Sequence, residues 1–153
     1  MKKRIIGIVC ILLCLVLVGC SNEYAKTEYN APEKIASNGD RYAKTNSQLN
    51  TQEDSCRLTA SHFDGRQTLW TEDWRQGETI QLELRLTLTC GQVKFVHVDE
   101  EGNVTTLLEC TPETAPEGSV LLSVSMPAGR NKFKVVGYDC ENLTCEFVLC
   151  GEA

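Results

Sequence analysis

The residues with the most chemistry in this sequence are its cysteines, nine in 153 positions. Six of them, Cys56, Cys90, Cys110, Cys140, Cys145 and Cys150, fall in the C-terminal two thirds. An even number of thiols in a small exported domain reads as a disulfide framework. The competing chemistry is redox or metal work by Cys90, Cys110, Cys140 and Cys145. Cys140 and Cys145 have C-x4-C spacing, but Cys90 and Cys110 supply no second close pair of the kind that completes a zinc site. The C-x-x-C spacing of thiol oxidoreductases is absent. The sequence therefore favours structural bridges, with no metal and no cofactor expected.

Catalytic groups are sparse. His62 and His97 are the only histidines, and Ser61, Ser123 and Ser125 lie outside any Gly-x-Ser-x-Gly elbow. No base, nucleophile and orienting group can be assembled from them, so both histidines read as strand residues and the chain as a non-enzyme. The acidic turn Asp99-Glu100-Glu101 lacks the alternating spacing of a calcium loop and reads as a solvated hairpin tip. Trp70 and Trp74 remain. Trp70 is expected in the core. Trp74 stands in a polar stretch with Glu72, Asp73 and Arg75. An aromatic ring flanked by carboxylates is the chemistry that stacks on sugar rings, which makes Trp74 the candidate ligand-binding residue.

These groups must be positioned by strands. From Thr79 to Cys90 the sequence alternates without a break, with Ile80, Leu82, Leu84, Leu86, Leu88 and Cys90 on one side. Period-two alternation of that length specifies a half-buried strand. Further strands are expected at Cys56–Phe63, Gln67–Thr71, Gln92–Val98, Val104–Cys110, Val120–Met126, Lys132–Cys140 and Cys145–Leu149. Turn signals separate them: Asp64-Gly65, Glu101-Gly102-Asn103, Pro127-Ala128-Gly129 and Glu141-Asn142. No segment has a helical period. The expected fold is all-β, an antiparallel β-sandwich of seven or eight strands, immunoglobulin-like or jelly-roll-like, over residues 54–153. With strands running alternately up and down, Cys56 and Cys150 share one end, and Cys90, Cys110, Cys140 and Cys145 the other. The first pairing expected is Cys56–Cys150. Cys140–Cys145 would follow across a hairpin tip, leaving Cys90–Cys110, with the crossed pairings open.

Residues 21–53 hold only two large aliphatics, Ile35 and Leu49, among many Asn, Ser, Thr, Glu and Lys residues. Such a composition buries too little apolar surface to offset ordering entropy and reads as a flexible polar tether. Tyr24-Ala25-Lys26-Thr27 recurs within it as Tyr42-Ala43-Lys44-Thr45.

In front of the tether, Lys2, Lys3 and Arg4 precede an apolar run from Ile5 to Val18, and Leu17-Val18-Gly19-Cys20 closes it. The run is shorter than the roughly 20 residues that span hydrocarbon. It resembles a bacterial lipoprotein signal peptide ending in a lipobox. The resemblance implies cleavage after Gly19, removal of residues 1–19 and a diacylglyceryl group on Cys20. Two acyl chains would hold the protein stably on the extracytoplasmic side of a cell membrane. The hairpin motifs GQVKFVHVDEEGNV and MPAGRNKFKVVGYD are similar to those of a loose group of small bacterial lipoproteins. That likeness implies the sandwich and says nothing of activity.

Removal of three cations from the 15 leaves 12 against 21 acidic residues, or −9. That balance excludes nucleic acid as a partner. The sequence thus points to a lipid-anchored, non-enzymatic interaction module whose ligand is an unknown protein or glycan. A redox or metal protein is the alternative, and a carbohydrate-binding module a narrower one.

Overall fold

The structure is a computed structural model and describes residues 23–152. The signal segment 1–19 and Cys20 lie outside the described residues. Two short helices come first, α1 (residues 23–29) and α2 (Pro32–Ala36). Eight strands follow: β1 Arg41–Thr45, β2 Gln48–Thr51, β3 Ser55–Trp74, β4 Glu78–Thr87, β5 Cys90–Val98, β6 Val104–Cys110, β7 Val120–Met126 and β8 Gly129–Glu152. All pairings are antiparallel. The expected all-β antiparallel class is what forms.

The architecture turns on β3 and β8, which pair along almost their whole length from Ser55↔Val148 to Trp74↔Gly129. On the other edge of β8, β4 covers the C-terminal half and β5 the N-terminal half. Phe133 and Phe147 are 14 positions apart on β8, about 46 Å if the strand ran straight. Their ring centroids are nevertheless 5.5 Å apart. The strand must therefore fold back on itself, and the sheet with it. One layer is β2, the first half of β3, the second half of β8, β4 and β7. The other is β1, the second half of β3, the first half of β8, β5 and β6. The sandwich is one sheet bent double, with its layers continuous through β3 and β8.

The bend is written in backbone conformation. Gly65 has φ +107° and Gly91 φ +85°, while Asp139 and Asn142 take left-handed values of 53° and 49°. The ladder shifts register between Phe63 and Gly65 and between Cys90 and Gln92. Bulges of this kind sharpen local twist and turn a strand without ending it. A Cβ on Gly65 would lie 2.1 Å from the Arg41 carbonyl oxygen, so only glycine fits there. Asp64 is buried at this point and accepts a hydrogen bond from the Asp139 amide at 2.6 Å, tying β3 to β8 across the bend.

Between the layers lies the main core. Ile80, Leu82, Leu84 and Leu86 of β4 face Phe63, Phe95, Phe133 and Phe147 there. Phe95 meets Phe133 at 5.4 Å and Phe147 at 5.4 Å, so the aromatic centre joins both layers. Close aromatic pairs add about 0.5–1.5 kcal/mol beyond the area they bury.

Residues 23–53 are not a free tether. Tyr29 and Ile35 pack on Val96, Val98 and Val136, forming a second small core on the outer face of the second layer. β1 and β2 pair with β3. Buried charge fixes this segment as well. The Arg66 guanidinium is ion-paired to Glu28 and donates to the Tyr24 hydroxyl at 2.8 Å. Lys134, fully buried, donates to the Ser37 carbonyl at 2.7 Å and lies 3.5 Å from Asp40. Averaging over composition conceals this, because two apolar anchors and a few ion pairs hold the segment in place of a continuous apolar face.

Candidate functional site

Folding the sheet double leaves an open end opposite the bend. There the β2–β3 turn of one layer meets the end of β3 from the other. Two adjoining cavities occupy this mouth. One, of about 490 Å3, runs from Thr51–Glu53 to Thr68–Glu72. The other, of about 350 Å3, extends past Trp74 to Leu149. Glu53 and Glu72 line both, so they form a single groove. Each volume falls in or near the range of small-ligand sites.

The two tryptophans are held differently. Trp70 is buried, stacks on Phe133 at 5.2 Å and donates through Nε1 to the Glu53 carbonyl at 3.1 Å. It fixes one wall of the groove against the core. Trp74 is half-buried, packs against the core edge and lines the open side. Its Nε1 is shielded from solvent and has no hydrogen-bond partner among the described residues. A shielded, unsatisfied N–H costs about 1–3 kcal/mol. Around the ring stand the carboxylates of Glu53, Asp54, Glu72 and Asp73. Asp73 accepts from Arg130 Nε at 3.2 Å, which closes that corner. Trp74 was legible from its neighbours in sequence. Glu53 and Asp54 were not, because they sat at the junction of the apparent tether and the domain, and only the fold of β3 brings them alongside.

The cysteines do not gather into a site. All six described cysteines are unbridged. Cys56 pairs in register with Phe147 and is buried, whereas Cys150 is exposed with Val148 on the opposite face of β8. The expected Cys56–Cys150 bridge therefore fails on facing. The expected hairpin between Cys140 and Cys145 is absent, since Glu141–Thr144 continue β8 opposite Thr59–His62. Cys90 is exposed at the start of β5, while Cys110 is buried opposite Val93, so that pair does not form either. Nor is Cys90 the last inward residue of β4, which ends at Thr87.

Cys90, Cys110, Cys140 and Cys145 do not meet as one set of ligands. No group of three or more metal-ligating side chains converges among the described residues. Burial raises the Cys110 thiol to about 11 and the Cys140 thiol to about 12. The enclosed Cys145 is likewise pushed well up, by burial and by neighbouring Cys56 and Cys110. Thiols held protonated at neutral pH are poor nucleophiles and poor ligands. Cys140 spends its proton on a hydrogen bond to the Gln92 carbonyl at 3.2 Å.

The histidines keep structural roles. His97 Nε2 donates to the side-chain oxygen of Asn131 at 2.7 Å, and Asn131 donates in turn to the carbonyls of Pro127 and Gly129. His62 pairs with Asp64 at 2.8 Å beside the bend. In the acidic turn, Asp99 accepts from the Asn103 amide at 2.8 Å, so its carboxylate closes the hairpin.

No protein-family model matches the chain, and no curated protein matches it. Among solved structures it is similar to a mutant family 29 carbohydrate-binding module complexed with mannohexaose. The identity is 11%, the match covers 73% of this chain and 79% of that one, and the TM-score is 0.40. It is also similar to CBM35 from Paenibacillus barcinonensis at 14% identity, 74% and 99% coverage and a TM-score of 0.38. A third likeness is to the N-terminal cellulose-binding domain of Cellulomonas fimi β-1,4-glucanase C, at 10% identity, 72% and 86% coverage and a TM-score of 0.38. At these scores the likenesses carry no functional argument, and the groove must be read on its own chemistry.

Proposed function

We propose that this protein is a membrane-anchored, extracytoplasmic binding module, without enzymatic activity, that holds a glycan in the open-end groove. The observation that carries the reading is Trp74, a half-buried indole on the open side of the groove, set among four carboxylates. A sugar ring offers an apolar face to the indole and hydroxyl donors to the carboxylates. The anchor is a diacylglyceryl group on Cys20, supported by the lipobox sequence Leu17-Val18-Gly19-Cys20 that ends the apolar run.

Titration calorimetry of the domain against a panel of soluble oligosaccharides tests the groove. One sugar class is expected to bind with a shift in tryptophan emission. Trp74→Ala is expected to weaken it at least about tenfold, or ~1.4 kcal/mol. Unchanged affinity in Trp74→Ala removes the groove from the reading. Binding of peptides alone would replace the glycan with a protein partner. Labelling of growing cells with an alkynyl fatty acid tests the anchor, because the label should be lost in Cys20→Ala.

A further inference from the structure

The Trp74 end of the groove lies away from the start of the described chain, which is fastened near the bend. Resting on the anchor and groove proposed above, we infer that the bend end of the folded sheet is the surface that meets the bilayer, holding the groove outward. The occupant of that surface is a lipid bilayer with anionic headgroups.

The anchor has little reach. α1 begins at residue 23, three positions after Cys20. Three residues span at most about 10 Å. A lipid on Cys20 therefore holds the start of α1 close to the headgroups, and a long tether is not there to release it.

The start of α1 is fastened near the bend. The Tyr24 hydroxyl accepts from Arg66, and the Tyr24 ring lies under the Arg41 guanidinium. Arg41 and Arg66 are register partners next to Gly65, at the bend. Lys26 bridges to Asp139 at 3.1 Å, and Asp139 is one of the left-handed residues that make the bend. The helix nearest the anchor is thus fastened to the folded edge of the sheet.

Tyr42 pairs with Gly65 and is 44% exposed, with the Lys44 ammonium 4.6 Å from its ring centroid. The side chains of Lys26 and Arg41 are 43% and 63% exposed, each ion-paired, to Asp139 and Glu28 respectively. Tyrosine suits the boundary between headgroup and acyl chain, and Lys44, held at 3.0 Å by the Gln67 side-chain oxygen, brings a cation there, worth about 1 kcal/mol near an anionic leaflet. The open end is acidic. Glu53, Asp54, Glu72 and Asp73 rim the groove there. An anionic bilayer repels that end. Trp74 lies nine residues beyond Gly65 on the second half of β3, so its indole stands up to about 30 Å from the bend, while the Thr68 wall of the groove begins about 10 Å from it. Both distances exceed the Debye length of about 8 Å in physiological salt.

Two native thiols report on the orientation. Cys90 is exposed beside Gly91 at the bend, and Cys150 is exposed next to the groove residue Leu149. The lipidated full chain carrying Cys150→Ser or Cys90→Ser is labelled with a maleimide fluorophore. It is then reconstituted into phosphatidylcholine–phosphatidylglycerol vesicles containing a headgroup-nitroxide lipid. The label on Cys90 should lose most of its emission, and the label on Cys150 should lose none. Equal quenching at both sites, or stronger quenching at Cys150, overturns the orientation while leaving anchor and groove intact. Failure of the chain to float with vesicles overturns the anchor and the orientation together, and sugar binding by the same sample separates that result from loss of the groove.

Discussion

Phe147→Ala tests whether the sheet is folded double. Phe147 is fully buried on the second half of β8. Its ring reaches Phe95 at 5.4 Å and Phe133 at 5.5 Å, both in the opposing layer. Truncating a buried phenylalanine costs about 3–5 kcal/mol in transfer and cavity terms. Two lost ring contacts at about 0.5–1.5 kcal/mol each push the value toward the upper end. The next residue is the internal control. Val148 is 42% exposed and faces away from the core, so Val148→Ala should stay within about 0.5 kcal/mol. Urea unfolding followed by tryptophan fluorescence reads both. With m near 1–3 kcal/mol/M, Phe147→Ala should lower the midpoint by about 2 M or leave the domain unfolded in water. A loss under 1 kcal/mol for Phe147→Ala, or an equal loss for Val148→Ala, would refute the facing of the layers.

Three further outcomes follow from the same geometry. Glu28→Ala removes the ionic partner of buried Arg66 and should destabilise the whole domain by about 3 kcal/mol in urea unfolding, because an unpaired buried charge remains. A flexible tether would show no change. Gly91→Ala forces a Cβ to 2.4 Å from the Asp139 carbonyl group at a positive φ, and should cost several kcal/mol, read as a lowered thermal midpoint. In the third, the folded thiols of Cys110 and Cys140 ionise near 11 and 12 while unfolded thiols ionise near the usual 9. Above pH 9 the unfolded state holds fewer protons, so stability is full below pH 9 and falls as pH rises toward 12. The slope is on the order of 1 kcal/mol per pH step for each thiol, measured by urea midpoints from pH 8 to 11.

Strands whose whole length serves one layer were readable in the sequence. Val104–Cys110 and Val120–Met126 form as expected, and the Leu82, Leu84, Leu86 row of β4 faces the core. β3 and β8 were each divided in two by Asp64-Gly65 and Glu141-Asn142. Those signals were correct about backbone conformation, since Gly65 and Asn142 do take positive φ. They were silent on whether a positive φ reverses the chain or bends a strand that keeps its partner. That outcome depends on β8 pairing with β3 on both sides of the bend, which is long-range information. The thiol pairings failed for the same reason. The side on which Cys56 or Cys150 faces follows from register, and a register shift of one residue moves a side chain to the other face. Trp74 was legible because its polar neighbours are adjacent in sequence. Its partners Glu53 and Asp54 lie about 20 positions away and meet it only through the folding of β3.

The bend and the groove are two consequences of one act of folding. Doubling a 20-residue strand concentrates the special conformations at its midpoint and brings its two ends together. At the midpoint Gly65, Gly91, Asp139 and Asn142 hold conformations that few residues accept, and the buried Asp64 secures them. The cavity at that end, about 250 Å3, has no aromatic ring in its lining. At the far end the layers stop being covalently continuous, so their separation is set by side chains alone. Trp70 holds one layer to the Glu53 turn of the other, and beyond it Trp74 is left with an unsatisfied N–H. The same topology therefore assigns rigidity to the end where the chain begins and recognition to the end farthest from it. Substitutions at the bend should change stability without changing which ligand binds, and substitutions at Trp74 should do the reverse.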